Sequence, residues 1–443
     1  MNPVRNLLLS LLLLPLPLTA QLPNQNPAQP PLAPAADGLR LPAGFKAEVV
    51  HPGVGPARHL SVRANGDIYV RLSKETEGGG IAALRDTNGD GTYDQVEYFG
   101  PGTGTGIALA TVPTTAGDIE YLYYSTATEV LRQEFAGREL VPAGPVETVV
   151  EGFPRQHAHN AKSIALDGEG RLFVNSGAPS NACQEQPRTP GSKGIVNCPQ
   201  LEQGGGIWVF DAATTDQRQT DGKRFATGLR NCVALAWNPA ANQLYTVMHG
   251  RDQLDFLFPK LFSQEDNARL PAEEMHLLKE GSNAGWPYTY WDPFANRRML
   301  APEYGGQPDT AWKPGLIRGL DGGDDFQAPV IALPAHWAPN ALVFYTSSQF
   351  PERYQGGAFI AFHGSWNRAP LPQGGYNVVF VPFDGEQASG GWENFADGFA
   401  GEPEVISPGS ARARPCGLAV GPDGSLYISD SRQGRLWRIS YED

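Results

Sequence analysis

Residues 160–177 read NAKSIALDGEGRLFVNSG, a short alternating strand followed by a Gly/Asp turn and a second strand of apolar–aromatic–apolar type. The pattern recurs at 57–71 (ARHLSVRANGDIYVR), 231–250 (NCVALAWNPAANQLYTVMHG) and 415–431 (PCGLAVGPDGSLYISDS), with weaker copies at 104–126 and 340–364. Only residues 264–279 suggest a helix. Six such units predict an all-β fold, a six-bladed β-propeller with long inter-blade loop insertions, over residues 40–443. A β-sandwich, the alternative, fits six similar units less well.

The composition and the amino-terminal residues indicate which partners and which cellular location to expect. The 443 residues carry a formal net charge of −13, which argues against nucleic acid as a partner because phosphates require a basic face. Residues 1–20 read as a signal peptide: a basic start, an apolar run broken by prolines, and a small-residue cleavage site. Residues 21–39, rich in Pro, Asn and Gln, predict a disordered leader. We therefore expect a periplasmic or secreted protein without stable membrane insertion after cleavage.

An exported chain with four cysteines can form two disulfides. Cys183 and Cys198 flank a polar insertion, which predicts a bridge that closes this loop. Cys232 and Cys416 each follow an arginine-containing motif, and either a second bridge or two buried thiols fits that placement.

Polar residues, most of them cationic or imidazole-bearing, precede the inner strand of nearly every unit. Since equivalent ends of the inner strands meet at one mouth of a propeller channel, we expect them to converge. Several cations at one mouth of an acidic protein require an anion. The residues before inner strands are Arg58, His159, Arg230, Asn231, His336, Arg412 and Arg414, and those at the outgoing end of the fifth unit are His363, Asn367 and Arg368.

Several sequence blocks, in order, carry a family resemblance. They are LPAGF (41–45), GRD (250–252), NAGWPY (283–288), AHWAPNALVFY (335–345) and HGSWNR (363–368). The chain resembles the glucose/sorbosone dehydrogenase family of soluble quinoproteins, its sorbosone branch most closely. The resemblance implies a six-bladed propeller that holds pyrroloquinoline quinone (PQQ) and Ca²⁺ at the channel mouth. It implies oxidation of a sugar, a sorbosone-like aldehyde or a related pyranose or polyol, with a cytochrome or a quinone as electron acceptor.

The resemblance also implies roles for individual residues. The catalytic base of the family falls on His159, although His157, two positions earlier, could exchange roles with it. The Arg-Asn pair falls on Arg230 and Asn231, where Arg230 would stabilise negative charge on the quinone oxygen. The cofactor-facing Arg-x-Arg falls on Arg412 and Arg414, and the calcium-binding backbone carbonyls fall on Gly250 and Arg251.

Two positions depart from the pattern of the soluble glucose dehydrogenases. Val233 stands where they carry a polar amide, which argues against glucose as the substrate. Asn367 and Arg368 stand where they carry a lysine, which keeps a positive charge but alters its geometry. We expect specificity to reside in the insertions 178–204 and 253–330.

A second cation site is suggested by DTNGDGTYD at residues 86–94. Asp86, Asn88, Asp90 and Asp94 have the oxygen spacing of an EF-hand-like loop but lack its final glutamate, so a structural Ca²⁺ and an ordinary Asp/Gly turn both fit.

Two other functions remain open from the sequence. Six-bladed propellers also include calcium-dependent lactonases and other hydrolases, whose metal is held by side-chain carboxylates and amides. A non-catalytic binding propeller is the second alternative. The predicted mouth, rich in Arg and His, suits a bound polyanion better than the metal site of a hydrolase. The retained site residues argue against a degraded binding propeller; they are His159, Arg230, Asn231, Arg412 and Arg414.

Overall fold

Six four-stranded antiparallel sheets form the protein in a computed structural model that describes residues 22–114, 117–321, 323–369 and 371–442. Blade 1 comprises Ala57–Val62, Ile68–Thr76, Gly79–Arg85 and Gln95–Phe99, and blade 2 comprises Ile107–Thr114, Gly117–Ser125, Val130–Glu134 and Glu147–Glu151. Blade 3 comprises Ile164–Leu166, Arg171–Ser176, Gly206–Asp211 and Lys223–Thr227, and blade 4 comprises Ala234–Asn238, Gln243–Met248, Glu273–Leu278 and Ile331–Leu333. Blade 5 comprises Pro339–Phe344, Ala358–Phe362, Asn377–Val381 and Glu393–Ala396, and blade 6 comprises Pro415–Val420, Leu426–Asp430, Leu436–Tyr441 and Phe45–His51.

The remaining elements are short. Gln217–Arg218 and Ser282–Asn283 add a parallel fifth strand to blades 2 and 3. Two-stranded hairpins are Leu32–Pro34 with Arg40–Pro42, Thr289–Asp292 with Arg297–Leu300, and Phe383–Asp384 with Gln387–Ala388. The α-helices are Leu254–Leu257 and Gln264–Arg269, and the 3₁₀ turns are Ala36–Gly38, Pro199–Glu202, Gln219–Asp221, Pro302–Tyr304 and Glu352–Tyr354.

The predicted six-bladed propeller is confirmed. Each of the six repeats in the sequence coincides with the inner strand of a blade and the strand that follows it. Each inner strand contacts the inner strands of the two neighbouring blades, which closes a ring around a central channel. Residues immediately before the inner strands therefore meet at one mouth, and the turns that follow these strands lie at the opposite face.

Blade 6 joins the two ends of the propeller. Its outer strand, Phe45–His51, comes from the amino-terminal part of the chain and pairs antiparallel with the carboxy-terminal strand Leu436–Tyr441. Because both ends share one sheet, the ring closes without leaving blade 6 an unpaired strand at the junction.

The predicted disordered leader differs from the structure over residues 22–39, which pack against the outer strand of blade 5. Nε1 of Trp392 donates to the carbonyl of Pro23 (2.9 Å), and the backbone N–H of Asn394 donates to the side-chain carbonyl of Gln29 (2.8 Å). The amide-rich composition that suggested disorder instead satisfies the free edge of this sheet. The predicted signal peptide, residues 1–20, lies outside the described residues.

The insertions 178–204 and 253–330 pack against one another on the mouth side of the propeller. Cys183 and Cys198 share an apolar cluster with Trp286, Tyr288 and Ile317. The helix suggested over 264–279 is present only at Gln264–Arg269, where Ser263 and Asp266 form a capping box. The following segment, Glu273–Leu278, is instead a strand of blade 4. None of the described residues belongs to a helix long and apolar enough to cross a membrane.

The cysteines divide as one bridge and two thiols. Cys183 and Cys198 form the predicted disulfide, with Cα atoms 6.3 Å apart. Cys232 and Cys416 are free and buried, so the second bridge is not formed. The two thiols have different polar partners: that of Cys232 interacts with Thr246 of blade 4, and that of Cys416 in blade 6 accepts from Nδ2 of Asn340 in the neighbouring blade 5.

We expect a thiol reagent to distinguish these two pairs. The native protein, without reductant, should show no rapidly reacting thiol, because burial protects both free cysteines and raises the pKa of Cys232 to about 12. After denaturation without reductant, two thiols per chain should react, at Cys232 and Cys416. No reactive thiol after denaturation would contradict the assignment, and peptide mapping would identify the labelled residues.

Candidate functional site at the channel mouth

Six basic side chains form one continuous group, here called the mouth cluster. The charge of Arg230 acts on both His159 and His249, that of Arg58 acts on His249 and His363, and Arg58 and Arg414 repel one another. The sequence predicted five members, and His249 is an addition from the end of the second strand of blade 4. The members are Arg58, His159, Arg230, His249, His363 and Arg414.

His159 is fixed as a neutral imidazole with a known tautomer. Its Nδ1 lies 2.6 Å from the carbonyl oxygen of Ala178, and since a carbonyl only accepts, Nδ1 must carry the proton. Nε2 therefore has a free lone pair, and it is neither hydrogen-bonded nor fully buried in the described structure. Burial and the nearby Arg230 charge lower the pKa of His159 to about 3, so the imidazole is neutral near pH 7. His157, the alternative base, is exposed.

Arg230 is held so that one nitrogen remains available. Its Nε donates to the backbone carbonyl of Asn181 (3.1 Å), and its Nη2 donates to the side-chain oxygens of Asn181 (3.0 Å) and Asp252 (2.9 Å). Among the described residues nothing accepts from Nη1, which is not fully buried. Arg230 as a whole residue is 3% exposed, and its guanidinium presents Nη1 as the free donor.

Asp252 is the functional residue that sequence reasoning missed. Its carboxylate pairs with Arg230, lies 3.5 Å from Arg188 and lies 3.8 Å from Nδ1 of His336. Burial is the largest single influence and opposes its ionisation, but the basic groups around it, Arg230 first and then His336 and Arg188, together hold the pKa of Asp252 below its ordinary value. The GRD block contained the signal, since Asp252 directly follows the two predicted carbonyl ligands. Its ion pairs depend on contacts with distant insertions.

Three arginines at the mouth have no carboxylate partner among the described residues: Arg58, Arg368 and Arg414. Nε of Arg58 donates to Thr105, and Arg414 donates to the carbonyls of His363 (2.8 Å) and Gly364 (2.7 Å). In an acidic protein such unpaired cations form a site for an anion.

Arg412 lies outside the mouth cluster, contrary to the prediction that it faces a cofactor beside Arg414. It pairs with the carboxylate of Asp37 (3.1 Å), which also binds Arg435 and Nε1 of Trp437. The ordered segment before the outer strand of blade 6 thus supplies the counterion, and because Asp37 is distant in sequence, no local pattern indicates this pairing. Arg251 is likewise neutralised, in a buried pair with Glu303.

The other predicted residues support the walls of the site. Nε2 of His336, a buried residue, contacts the carbonyls of Asn267 (2.6 Å) and Leu270 (3.0 Å). Arg368 donates to the carbonyls of Ala268 and Ala335, and the carbonyl of Asn367 accepts from Asn267. The HGSWNR loop is thereby tied to the helix Gln264–Arg269. Nδ2 of Asn367 is buried without a partner in the described structure.

Two other imidazoles are also neutral, that of His249 in the mouth cluster and that of His59. Nε2 of His59 contacts the carbonyl of Asn340 (2.6 Å), and Nε2 of His249 contacts that of Pro339 (2.7 Å). Burial lowers the pKa of each to about 4. Their Nδ1 atoms consequently carry lone pairs and, among the described residues, receive no hydrogen bond.

We expect these histidines to make the cofactor-free protein sensitive to acid. In the unfolded chain they bind protons as the pH falls through about 6.5, whereas in the folded chain His59 and His249 resist protonation to about 4 and His159 to about 3. As the pH decreases over this interval, the free energy of unfolding should fall by up to ~1.4 kcal/mol per pH unit for each histidine. Burial raises the pKa of Glu273 to about 8, so protonation of this carboxyl stabilises the folded chain as the pH falls. This single group opposes the three histidines and does not cancel their combined effect.

Chemical unfolding measured between about pH 7 and pH 4.5 checks this expectation. The free energy of unfolding should decrease towards the acid end, with a shallower slope in a His249→Asn variant. A free energy that stays constant or rises over this interval would contradict the assignment of neutral histidines.

Two loops bear on the calcium predictions. The carbonyl oxygens of Gly250 and Arg251 accept no hydrogen bond within the described chain, while the backbone N–H of Gly250 donates to buried Glu273 (2.7 Å). These carbonyls fit the requirements of a hard cation, which takes oxygen ligands. Among the described residues no group of three or more His, Cys, Asp or Glu side chains is arranged to hold a metal.

The 86–94 loop is a turn whose carboxylates are already used. Asp86 accepts from the backbone N–H groups of Asn88, Gly89 and Gly91, and Asp94 accepts from Thr87. Asp90 accepts from Thr92 and from the Asn88 side chain. The geometry is that of an Asx-stabilised turn, and a structural Ca²⁺ at these four residues stays a prediction.

Comparison with known proteins identifies the family. The family model described as TrAA12-like matches residues 39–442. The chain belongs to the TrAA12-like family. A similar solved structure, the calcium structure of the carbohydrate-active enzyme family AA12 protein of Trichoderma reesei, superposes with a TM-score of 0.67 at 19% identity over 95% of this chain and 99% of that chain. At this identity the similarity shows the fold.

Two further similarities concern quinoproteins. A "Pyrroloquinoline quinone-dependent pyranose dehydrogenase" of Coprinopsis cinerea is 30% identical over 283 residues, 56% of this chain and 36% of that protein. The holo form of the PQQ domain of the pyranose dehydrogenase from the same organism superposes with a TM-score of 0.63 at 18% identity, over 94% and 99% of the two chains.

An uncharacterized protein of Borreliella burgdorferi is 27% identical over 49% of this chain and 48% of its own length. The match thus spans about half or less of these curated relatives. The TrAA12-like assignment bears out the predicted kinship with soluble quinoprotein sugar dehydrogenases, and the sorbosone branch stays a prediction.

Proposed function

We propose that this TrAA12-like protein is a PQQ-dependent dehydrogenase that oxidises a pyranose or a related sugar at the channel mouth. The observation that carries the proposal is that Arg58 and Arg414, which have no carboxylate partner among the described residues, belong to the same mouth cluster as the neutral base His159. A planar tricarboxylate matches guanidinium donors of this kind. The similarity to the pyranose dehydrogenase of Coprinopsis cinerea supports the same cofactor.

The polar atoms left free at the mouth fit such a group. Nη1 of Arg230 is an unpaired donor, and Oδ1 of Asn231 is buried without a partner in the described structure. Arg58, Arg230, Asn231 and Arg414 would hold the cofactor. When bound, PQQ supplies a carbonyl carbon that accepts a hydride from the substrate.

His159 performs the proton transfer in this proposal. Nε2 takes the proton of the substrate hydroxyl, while Nδ1 remains bonded to the carbonyl of Ala178, which stabilises the imidazolium that forms. A lowered pKa keeps the base in its active form across the neutral range. The pKa of about 3 belongs to the cofactor-free protein, and three added carboxylates would raise it towards the neutral range.

Arg230 directs its Nη1 donor at the negative charge that develops during the reaction. Its orientation depends on Asn181 and Asp252, which bind its other nitrogens. Val233, two positions after Asn231, is buried and apolar, so it offers no hydrogen bond to a sugar hydroxyl. This favours another pyranose, or a sorbosone-like aldehyde, over glucose as the preferred substrate.

Calcium, the electron acceptor and the location complete the proposal. Ca²⁺ would bind the carbonyls of Gly250 and Arg251 beside the cofactor. A cytochrome or a quinone would reoxidise the reduced cofactor. Export by residues 1–20 would place the protein in the periplasm or outside the cell.

An anaerobic reduction assay tests the proposed function. The protein is loaded with PQQ and Ca²⁺, mixed with one sugar at a time from a panel of pyranoses, sorbosone-like aldehydes and polyols, and followed through the absorbance of the quinone. Reduction by one class of sugar, and not by the buffer alone, is the expected result. Bound quinone that no member of the panel reduces would contradict the proposal, and hydrolysis of a lactone panel would favour the hydrolase alternative.

A further inference from the structure

The backbone at His159 is in a conformation that a residue with a side chain rarely adopts. Its φ is +53°, in the left-handed region. In this conformation the Nδ1–H group of His159 reaches the carbonyl of Ala178 at 2.6 Å. An interaction that compensates for the strained conformation is therefore expected nearby.

Gln156 provides that interaction. Its Nε2 lies 2.9 Å from the carbonyl oxygen of Ala158, 3.0 Å from that of His159 and 2.9 Å from that of Gly177. Since all three partners can only accept, the amide nitrogen must face them. One side chain thus joins both peptide groups around His159 to the strand end that carries its Ala178 partner.

Gly177 fixes the distance between these two segments. A Cβ atom at this position would lie 2.7 Å from both Cβ and the carbonyl oxygen of His159, and 3.2 Å from Oδ1 of Asn231. The His159 turn consequently packs directly on the backbone of residue 177, and its position is determined by the hydrogen bonds across that contact.

We propose that Gln156 is a positioning residue that holds the turn of His159 against residues 177–178, and so aims the imidazole into the mouth. The inference rests on the proposed function for its effect on turnover. Its structural part, the orientation of His159, stands without it. All the hydrogen bonds of the Gln156 side chain within the described chain go to backbone carbonyls, so its effect on the reaction would act through His159.

A matched control exists at the opposite face of the propeller. Nε2 of Gln217 also contacts three backbone carbonyls, those of Val149 (3.4 Å), Asp211 (2.8 Å) and Thr214 (2.8 Å). Removing this network costs the same kind of hydrogen bonds at a distance from the mouth. A general loss of stability would appear in both variants, whereas a positioning effect would appear only at Gln156.

The test compares Gln156→Ala and Gln156→Asn with Gln217→Ala and Gln217→Asn. The imidazole carbons of the eight histidines are labelled for NMR in the cofactor-free protein, and the His159 signal is identified by its loss in His159→Gln. In the Gln156 variants we expect the His159 signal to move and its titration to shift from about 3 towards ordinary values. In the Gln217 variants the signal should stay in place. Gln156→Asn, one methylene shorter, keeps an amide donor should the alanine variant fold poorly.

Kinetics of the loaded enzyme provide the second measurement. We expect kcat of the Gln156 variants to fall by about 10²-fold while KM changes little, since the base is misplaced but substrate contacts remain. An unmoved His159 signal in a folded Gln156 variant, or an equal shift in the Gln217 variants, would overturn the inference. Failure of the wild-type protein to oxidise any sugar would count against the proposed function alone, because the NMR comparison requires no cofactor.

Discussion

Replacing His159 with glutamine is expected to lower kcat by about 10²–10⁴-fold, the range that general base catalysis contributes. Glutamine keeps the size and a polar group, but it offers no lone pair that can take a proton near neutrality. Cofactor affinity should change little, because the guanidinium donors of the mouth remain. Anaerobic reduction of the bound quinone by substrate measures the effect directly.

The control for this variant is His157→Gln. His157 is exposed and lies two residues away, so its replacement should leave turnover close to that of the wild type. A large loss in His157→Gln with an active His159→Gln protein would reverse the assignment of the base.

Asp252→Asn is expected to have the second-largest effect, on both turnover and stability. The carboxylate neutralises Arg230 at 2.9 Å within a site from which water is mostly excluded. Removing one partner of a buried ion pair leaves an uncompensated charge, which costs about 3–5 kcal/mol. The freed guanidinium would also turn, and misplacement of a donor by about 1 Å lowers the rate by about 10²-fold.

Asp255→Asn provides the comparison for Asp252. Asp255 lies three residues further on, in the first turn of the helix Leu254–Leu257, and none of the ion pairs formed by the described residues includes it. Unfolding by denaturant and kcat should both be close to wild type in this variant. An Asp252→Asn protein with unchanged turnover would show that the clamp on Arg230 has no role in the reaction.

The six-bladed propeller could be predicted from the sequence because the pattern that indicates a blade is local and is repeated along the chain. An alternating strand, a Gly/Asp turn and a second strand indicate each blade. The six copies of this pattern predict the number of blades. The convergence of His159, Arg230 and Arg414 followed from the same repeats, since each precedes an inner strand and all inner strands begin at one mouth.

The rest depended on contacts that no local pattern records. Arg412 precedes an inner strand as Arg414 does, yet Asp37, distant in sequence, pairs with it and removes it from the mouth. Asn181, which lies in an insertion without a repeat pattern, accepts hydrogen bonds from Nε and Nη2 of Arg230 and so leaves Nη1 free. The left-handed turn at His159, and its support by Gln156, likewise arise from a tertiary contact with Gly177.

Calorimetric titration of the cofactor-free protein with PQQ, in the presence of Ca²⁺, tests the central claim most directly. We predict saturable binding of one quinone per chain, weakened in Arg414→Gln and left unchanged in Arg412→Gln, whose guanidinium pairs with Asp37 instead. Absence of binding, or binding that Arg414→Gln does not weaken, would contradict the proposal that the unpaired cations of the mouth hold this cofactor.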